Sequence, residues 1–241
     1  PMQIHWPLVV STACQRVGLG LFICAFVMGS PVPLAVVARV TLGLLAVGGI
    51  ASIFHLQRPQ RFFNAFSNVK SHLTQEAFIT PFLGLALLAC GLNGVLYDLG
   101  DATFVVGLVA AVLAAAFLVC TGLAYQMGSR PAWNTPFVLA LFLLTALEAG
   151  TIGVVVLWLV AGGLVPVACV AVALAATVVC ALCQAAYVRR MRSVGYGVNV
   201  NATEPPYRSV FIMWVVMGVA LPLVALGLMF AMPAAALVLA A

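Results

Sequence analysis

Seven apolar runs, each of about 20 residues or more, decide what this chain can fold into. They cover residues 8–28, 34–54, 77–97, 102–124, 136–160, 164–187 and 210–231. Such a run is long enough to cross bilayer hydrocarbon as a helix, where every backbone polar group must be satisfied internally. A further apolar stretch, 233–241, reads as the start of a truncated eighth span. Composition agrees: of 241 residues, 65% are hydrophobic and 6% are charged, against about 25% charged in an ordinary soluble domain. The expected fold class is therefore all-α, a polytopic transmembrane helix bundle forming one domain over residues 1–241. A soluble globular protein, a disordered chain and a secreted disulfide scaffold are excluded. The lipid bilayer is the expected surrounding, and nucleic acid is not an expected partner. The first residues carry no basic region followed by a small-residue cleavage site, so no signal peptide is expected.

The connections alternate in character. Those after the first, third and fifth spans are short and hold neither Lys nor Arg. Those after the second, fourth and sixth are longer and basic. They hold Arg58, Arg61 and Lys70, then Arg130, then Arg189, Arg190, Arg192 and Arg208, eight of the ten basic residues. The excess of positive loops places them, with the N-terminus, on the cytoplasmic face. A docked partner with an acidic surface would select the same loops.

The few polar residues point to any chemistry. All seven Cys fall inside apolar runs and are read as small packing residues, the Cys180-x-x-Cys183 pair included. The stretch 55–76 joins the second and third spans, yet it carries two of the three His, three basic residues, three Phe and Glu76. It reads either as an interfacial anchor with Phe62, Phe63 and Phe66 dipping into the apolar zone, or as a site. His55 stands at the membrane boundary. Glu76 opens the third span, where the helix dipole favours a carboxylate. Together the two could accept the protons of a quinol beside an apolar cleft. Gln15 and Arg16 lie within the first span and Glu148 midway along the fifth. Arg16, Arg39 and Glu148 are expected either to pair structurally or to serve proton transfer or quinone contact. Asp98 and Asp101 read as solvated turn residues. No His lies in a helix interior, so a two-haem cytochrome has too few His while a haem stays open, and no Cys cluster fits an iron–sulfur centre; if the chain handles electrons, the metal centres are expected in a partner.

These residues carry a resemblance. His5-Trp6-Pro7-Leu8 with Gln15, then Ala51-Ser52 and His55-Leu56, then Pro59, Arg61, Phe63 and Asn64, and the Ser71-x-Leu73-Thr74-x-Glu76 run stand in a characteristic order. Tyr125, Pro131, Trp133 and Thr135-Pro136 follow. The chain resembles the membrane-anchor subunits of the dimethyl sulfoxide reductase family, the third subunit of molybdopterin oxidoreductase complexes. The landmarks cover roughly the first 140 residues, and the later spans match only as apolar stretches.

The resemblance implies an eight-helix bundle in the cytoplasmic membrane of a prokaryote. It implies oxidation of a quinol, typically menaquinol, as a bound substrate. Electrons would pass to a ferredoxin-like subunit with [4Fe–4S] clusters and then to a molybdopterin catalytic subunit, with no haem or iron–sulfur cluster in this chain. His55 and Glu76 carry over as the proton-accepting pair, and Gln15, Arg61 and Asn64 are expected around the quinol. No metal ligands are expected. In members with exported catalytic subunits, the quinol site and docking surface lie on the outer face with the N-terminus. The basic loops would then serve docking to the iron–sulfur subunit. Two other readings stand beside this one. A secondary transporter or ion-translocating subunit would use Arg16, Arg39 and Glu148 as a polar path. A purely structural anchor would need no ionisable pair.

Overall fold

A computed structural model describes residues 6–55, 71–128, 133–193 and 208–239, with the backbone alone at 54, 55, 192, 193, 210 and 232–239. Seven of its helices are long and apolar enough to cross a membrane. They are α1 (Trp6–Met28), α2 (Leu34–His55), α3 (His72–Leu92), α4 (Ala102–Ala124), α5 (Pro136–Val160), α6 (Val167–Ser193) and α7 (208–239). The all-α, multi-pass expectation is met. Among the described residues the seven Cys are all free thiols, half-buried or buried in the helices.

The helices follow one another in chain order as an arc, α2 on α3, α3 on α4 and so on to α7 on α6. α1 fills the inside of the arc against α2, α4 and α5. Its Leu19 and Phe22 are fully buried, as are Val37 of α2, Leu83 and Leu87 of α3, and Ala110 and Ala114 of α4. Lipid is as apolar as leucine, so burial of side chains does not by itself pull these helices together. Close backbone approach does, and small residues permit it. At the α1–α5 crossing, Gly20 lies against the Ala146 backbone and Gly150 against the Gly20 backbone. A Cβ on either glycine would clash with main-chain atoms of the other helix. At the α1–α2 crossing, Gly48 faces the Ser11 carbonyl, and the buried Thr41 hydroxyl donates to the Gly18 carbonyl at 3.0 Å.

Local chemistry explains where helices begin and bend. Thr135 caps α5, accepting a hydrogen bond from the Phe137 amide at 3.1 Å, with Pro136 at the first helical position. α7 is α-helical over Arg208–Trp214 and Leu221–Leu239 and π-helical over Val215–Ala220. Pro222 lacks an N–H and its ring crowds the Gly218 carbonyl, and the widened turn accommodates both.

Three expectations from the sequence need correction. α3 begins at His72, not Ala77, and ends at Leu92, not Tyr97. Hydropathy marks where lipid begins, whereas the helix starts one polar turn earlier, after Ser71 in extended conformation, whose carbonyl accepts from the Gln75 amide at 3.0 Å. Glu76 is therefore a full turn inside α3, and the helix-dipole explanation for it fails. α6 likewise runs from Val167 to Ser193 rather than from Leu164 to Tyr187. The stretch expected to begin an eighth span continues α7 as far as Leu239.

Candidate functional site

The alternating topology brings the start of α1, the end of α2, the start of α3, the end of α4 and the start of α5 to one end of the bundle. This is the proximal end, and the opposite one is the distal end. Tyr125 closes α4 there, stacked on Phe142 of α5 at 5.8 Å and edge-on to Trp133 at 5.8 Å. The Gln126 amide donates to the Thr135 carbonyl at 3.0 Å and ties the connection to the head of α5. A box of aromatic rings thus covers the inner ends of α4 and α5.

Polar side chains enter this region from α1, α3, α4 and α5. Glu76 shares the inner stripe of α3 with Ile79, Leu83 and Leu87, at helical spacing. Its carboxyl meets the hydroxyl of the buried Thr121 on α4, and Cys120 and Tyr125 are close to it electrostatically. The Thr121 hydroxyl also donates to the Phe117 carbonyl at 2.9 Å. With its proton used there, the oxygen can accept from a carboxylic acid, or the hydroxyl can swing to donate to a carboxylate. The pair can accommodate either protonation state without moving the backbone.

Gln15 lies one turn before Leu19 on the inner face of α1. Its Oε1 is buried and has no hydrogen-bond partner among the described residues. An orphaned buried acceptor costs about 1–3 kcal/mol, so the position favours a ligand or neighbour with a hydroxyl to give. Arg16, the next residue, turns its side chain back toward the proximal end. Its Nε donates to the Thr12 carbonyl at 3.0 Å and its Nη1 to Thr145 Oγ1 at 3.0 Å, and its guanidinium carbon stands 5.0 Å from the Phe142 ring centre. Tyr125 lies within electrostatic reach of both Glu76 and Arg16. Burial, with Glu76 beside it and only partly offset by Arg16, pushes its phenol up to about 12, so the hydroxyl stays a donor across the physiological range.

Not every residue singled out in the sequence lies in this cluster. α2 ends at His55, which puts its backbone at the proximal end. Its side chain, and the whole of Arg61 and Asn64, lie outside the described residues. The expected association of Arg16, Arg39 and Glu148 is not found. Arg39 is exposed near the distal end, its stem over Gly91 of α3. Glu148 turns to α6 and hydrogen-bonds with Thr177 and Cys180. The polar path required by the transporter reading is broken at Arg39. Asp98 keeps the expected turn role, its Oδ1 accepting from the Gly100 amide at 2.9 Å. Among the described residues no group of three or more His, Cys, Asp or Glu could hold a metal.

Thr121, Phe142 and Thr145 carry no signal in the sequence, since a Thr or Phe in an apolar run looks like any other packing residue. Tyr125 and Trp133 stood out only as landmarks, not as parts of a site. A polar or aromatic residue on the same stripe as a buried neighbour, one turn from a helix end, is the pattern that would have found them.

The sequence profile of the DMSO reductase anchor subunit (DmsC) family matches residues 2–239, nearly the whole chain. The chain belongs to this family. It is a multi-pass membrane anchor, and membership implies a complex with catalytic and iron–sulfur subunits. Comparison with curated proteins finds no significant match, and comparison with solved structures finds none either.

Proposed function

We propose that this anchor oxidises a quinol at the proximal end of the bundle and passes the electrons to the iron–sulfur subunit docked there. The observation that carries this reading is the meeting of Glu76 and Tyr125 beside stacked aromatic rings, with the buried, unpartnered Gln15 acceptor on the inner face of α1. A quinol ring needs apolar walls, acceptors for its two protons and donors for its oxygens once they become carbonyls. Glu76, paired with a hydroxyl that suits both of its protonation states, takes one proton. His55, at the end of α2, takes the other. Gln15 accepts from a quinol hydroxyl, and Arg61 and Asn64 orient the ring from the loop that follows α2. The substrate is menaquinol. The acceptor is a ferredoxin-like subunit with [4Fe–4S] clusters, from which a molybdopterin subunit draws electrons. The setting is the cytoplasmic membrane of a prokaryote, and the basic loops of the proximal end form the docking surface.

Glu76→Gln and His55→Ala in membranes holding the whole complex test this. Quinol-driven reduction falls by about 100-fold or more, while activity with a soluble dye as electron donor persists. Normal quinol oxidation in both variants would falsify the assignment.

A further inference from the structure

Arg16 sits about 15 Å along α1, roughly halfway through the bundle. A cation at that depth is costly unless something of opposite charge faces it. Among the described residues no carboxylate does. Its bonds go to the neutral Thr12 carbonyl and Thr145 hydroxyl, and the ionisable groups nearest to it are Tyr125 and Cys180. The two acids of the described spans each bond to other groups, Glu76 to Thr121 and Glu148 to Thr177 and to Cys180, the thiol that lies within electrostatic reach of Arg16. The guanidinium is nonetheless held in place by two hydrogen bonds and by the Phe142 ring, and that ring stacks on Tyr125. Tyr125 in turn lies within electrostatic reach of both Arg16 and Glu76. A fixed, unmatched cation at one end of an aromatic-lined site, with a proton acceptor at the other, suits a substrate that becomes negative only during the reaction.

We propose that Arg16 is a further catalytic residue of the quinol site, its guanidinium facing the substrate oxygen that becomes anionic when a hydroxyl proton leaves. This rests on the reading of the cluster as a quinol oxidation site. The O–H bond of one hydroxyl breaks, its proton passes to the Glu76 carboxylate, and the bonding pair stays on oxygen as a quinolate. Arg16 stabilises that charge, and the Tyr125 hydroxyl donates to the same oxygen. Two electrons then leave singly to an acceptor of the iron–sulfur class, the second hydroxyl proton goes to His55, and the product is the neutral quinone. Once the charge is gone, so is the attraction to Arg16, which favours release.

The test uses membranes containing the whole complex and a series of reduced naphthoquinones whose ring substituents make the hydroxyls more or less acidic. Arg16→Gln lowers kcat for the unsubstituted quinol by about 100-fold, with KM changed by less than about threefold. The deficit shrinks steadily with more acidic quinols, because these carry their negative charge without help. Dye-driven activity is unchanged. A role confined to helix packing would not make the deficit depend on substrate acidity. A uniform deficit across the series, or rates within about threefold of the parent, overturns the role of Arg16. If Glu76→Gln is inactive in the same preparation, the quinol reading stands without Arg16. If Glu76→Gln oxidises quinol normally, that reading fails and takes this one with it. Should Arg16→Gln not accumulate, Arg16→Lys decides: its ammonium lacks the planar fork held by Thr12 and Thr145. It must also lose rate most strongly on the least acidic quinols, and parallel behaviour to the parent overturns the proposal.

Discussion

The distal end of the bundle turns tightly from helix to helix, at 29–33, 93–101 and 161–166, while the proximal end carries the long basic connections. All four positive-φ glycines among the described residues, Gly29, Gly94, Gly100 and Gly162, lie in the distal turns. There Asn93 donates to Thr103 at 3.2 Å and accepts from the Leu99 amide at 2.9 Å, and the Tyr97 hydroxyl donates to the Ala89 carbonyl at 2.8 Å. Every one of those polar groups is spent on closing a turn. At the proximal end His72, Arg189 and Arg208 are exposed, but Glu76, Arg16 and Tyr125 meet within the bundle, and Gln15 Oε1 is buried with no partner among the described residues. The distal turns spend their hydrogen-bonding groups on themselves, although Trp158 Nε1 near that end is buried without a partner among the described residues, and the proximal end leaves an acceptor for a substrate.

That contrast can be broken by substitution. The largest effect belongs to Glu76→Gln, which costs quinol-driven turnover about 100-fold or more and leaves the fold intact, as read by dye-driven activity in membranes. If a distal substitution produced the same selective loss, the two ends would not differ as described. Gly20→Leu comes next. Its side chain meets the Ala146 backbone, so the α1–α5 crossing opens at a cost of about 3 kcal/mol. Accumulation in membranes and the thermal midpoint in detergent both fall, and Arg16, one turn away, loses its register with Thr145. Asn93→Ala removes two hydrogen bonds from a distal turn and lowers stability by about 1–2 kcal/mol, with quinol turnover per folded molecule unchanged.

The proximal end also has an alkaline signature. The Tyr125 phenol is raised from its ordinary value near 10 to about 12, by burial first and by Glu76 second. A group whose folded value is raised contributes stability that is complete below about pH 10 and lost as pH climbs toward about 12. Thermal midpoints measured across that window should fall more steeply in the parent than in Tyr125→Phe, and parallel curves would place Tyr125 outside the buried cluster. The smallest effect is expected of Arg39→Ala. This exposed distal cation changes stability by less than about 0.5 kcal/mol and leaves quinol turnover alone, a result that would confirm its separation from Arg16.

Much of this architecture is legible in one dimension. Long apolar runs have no other way to satisfy their backbones in lipid, so the number and approximate place of the seven spans follow from composition and length alone. The boundaries of α3 do not, because hydropathy records the lipid boundary whereas Ser71 and the turn after it record where the backbone starts to coil. Misplacing that boundary by one turn is what made Glu76 look like a helix-dipole residue. Its proximal-end position was readable. Its partners were not, since Thr121 and Phe142 are ordinary residues of apolar runs until α4 and α5 bring them together.

Chain order and hydropathy, then, determined the bundle, the alternation of its ends and the gathering of cationic loops at one of them. Only the packing of the helices decided which polar groups meet. The glycine crossing at Gly20 and Gly150 brings Arg16 to Thr145, and the α3–α4 contact brings Glu76 to Thr121. Arg39 and Glu148, equally conspicuous as charges in apolar sequence, are turned elsewhere. Residue type sets what a side chain can do, but helix phase and the distance between axes set what it can reach, and neither can be read from a run of apolar letters.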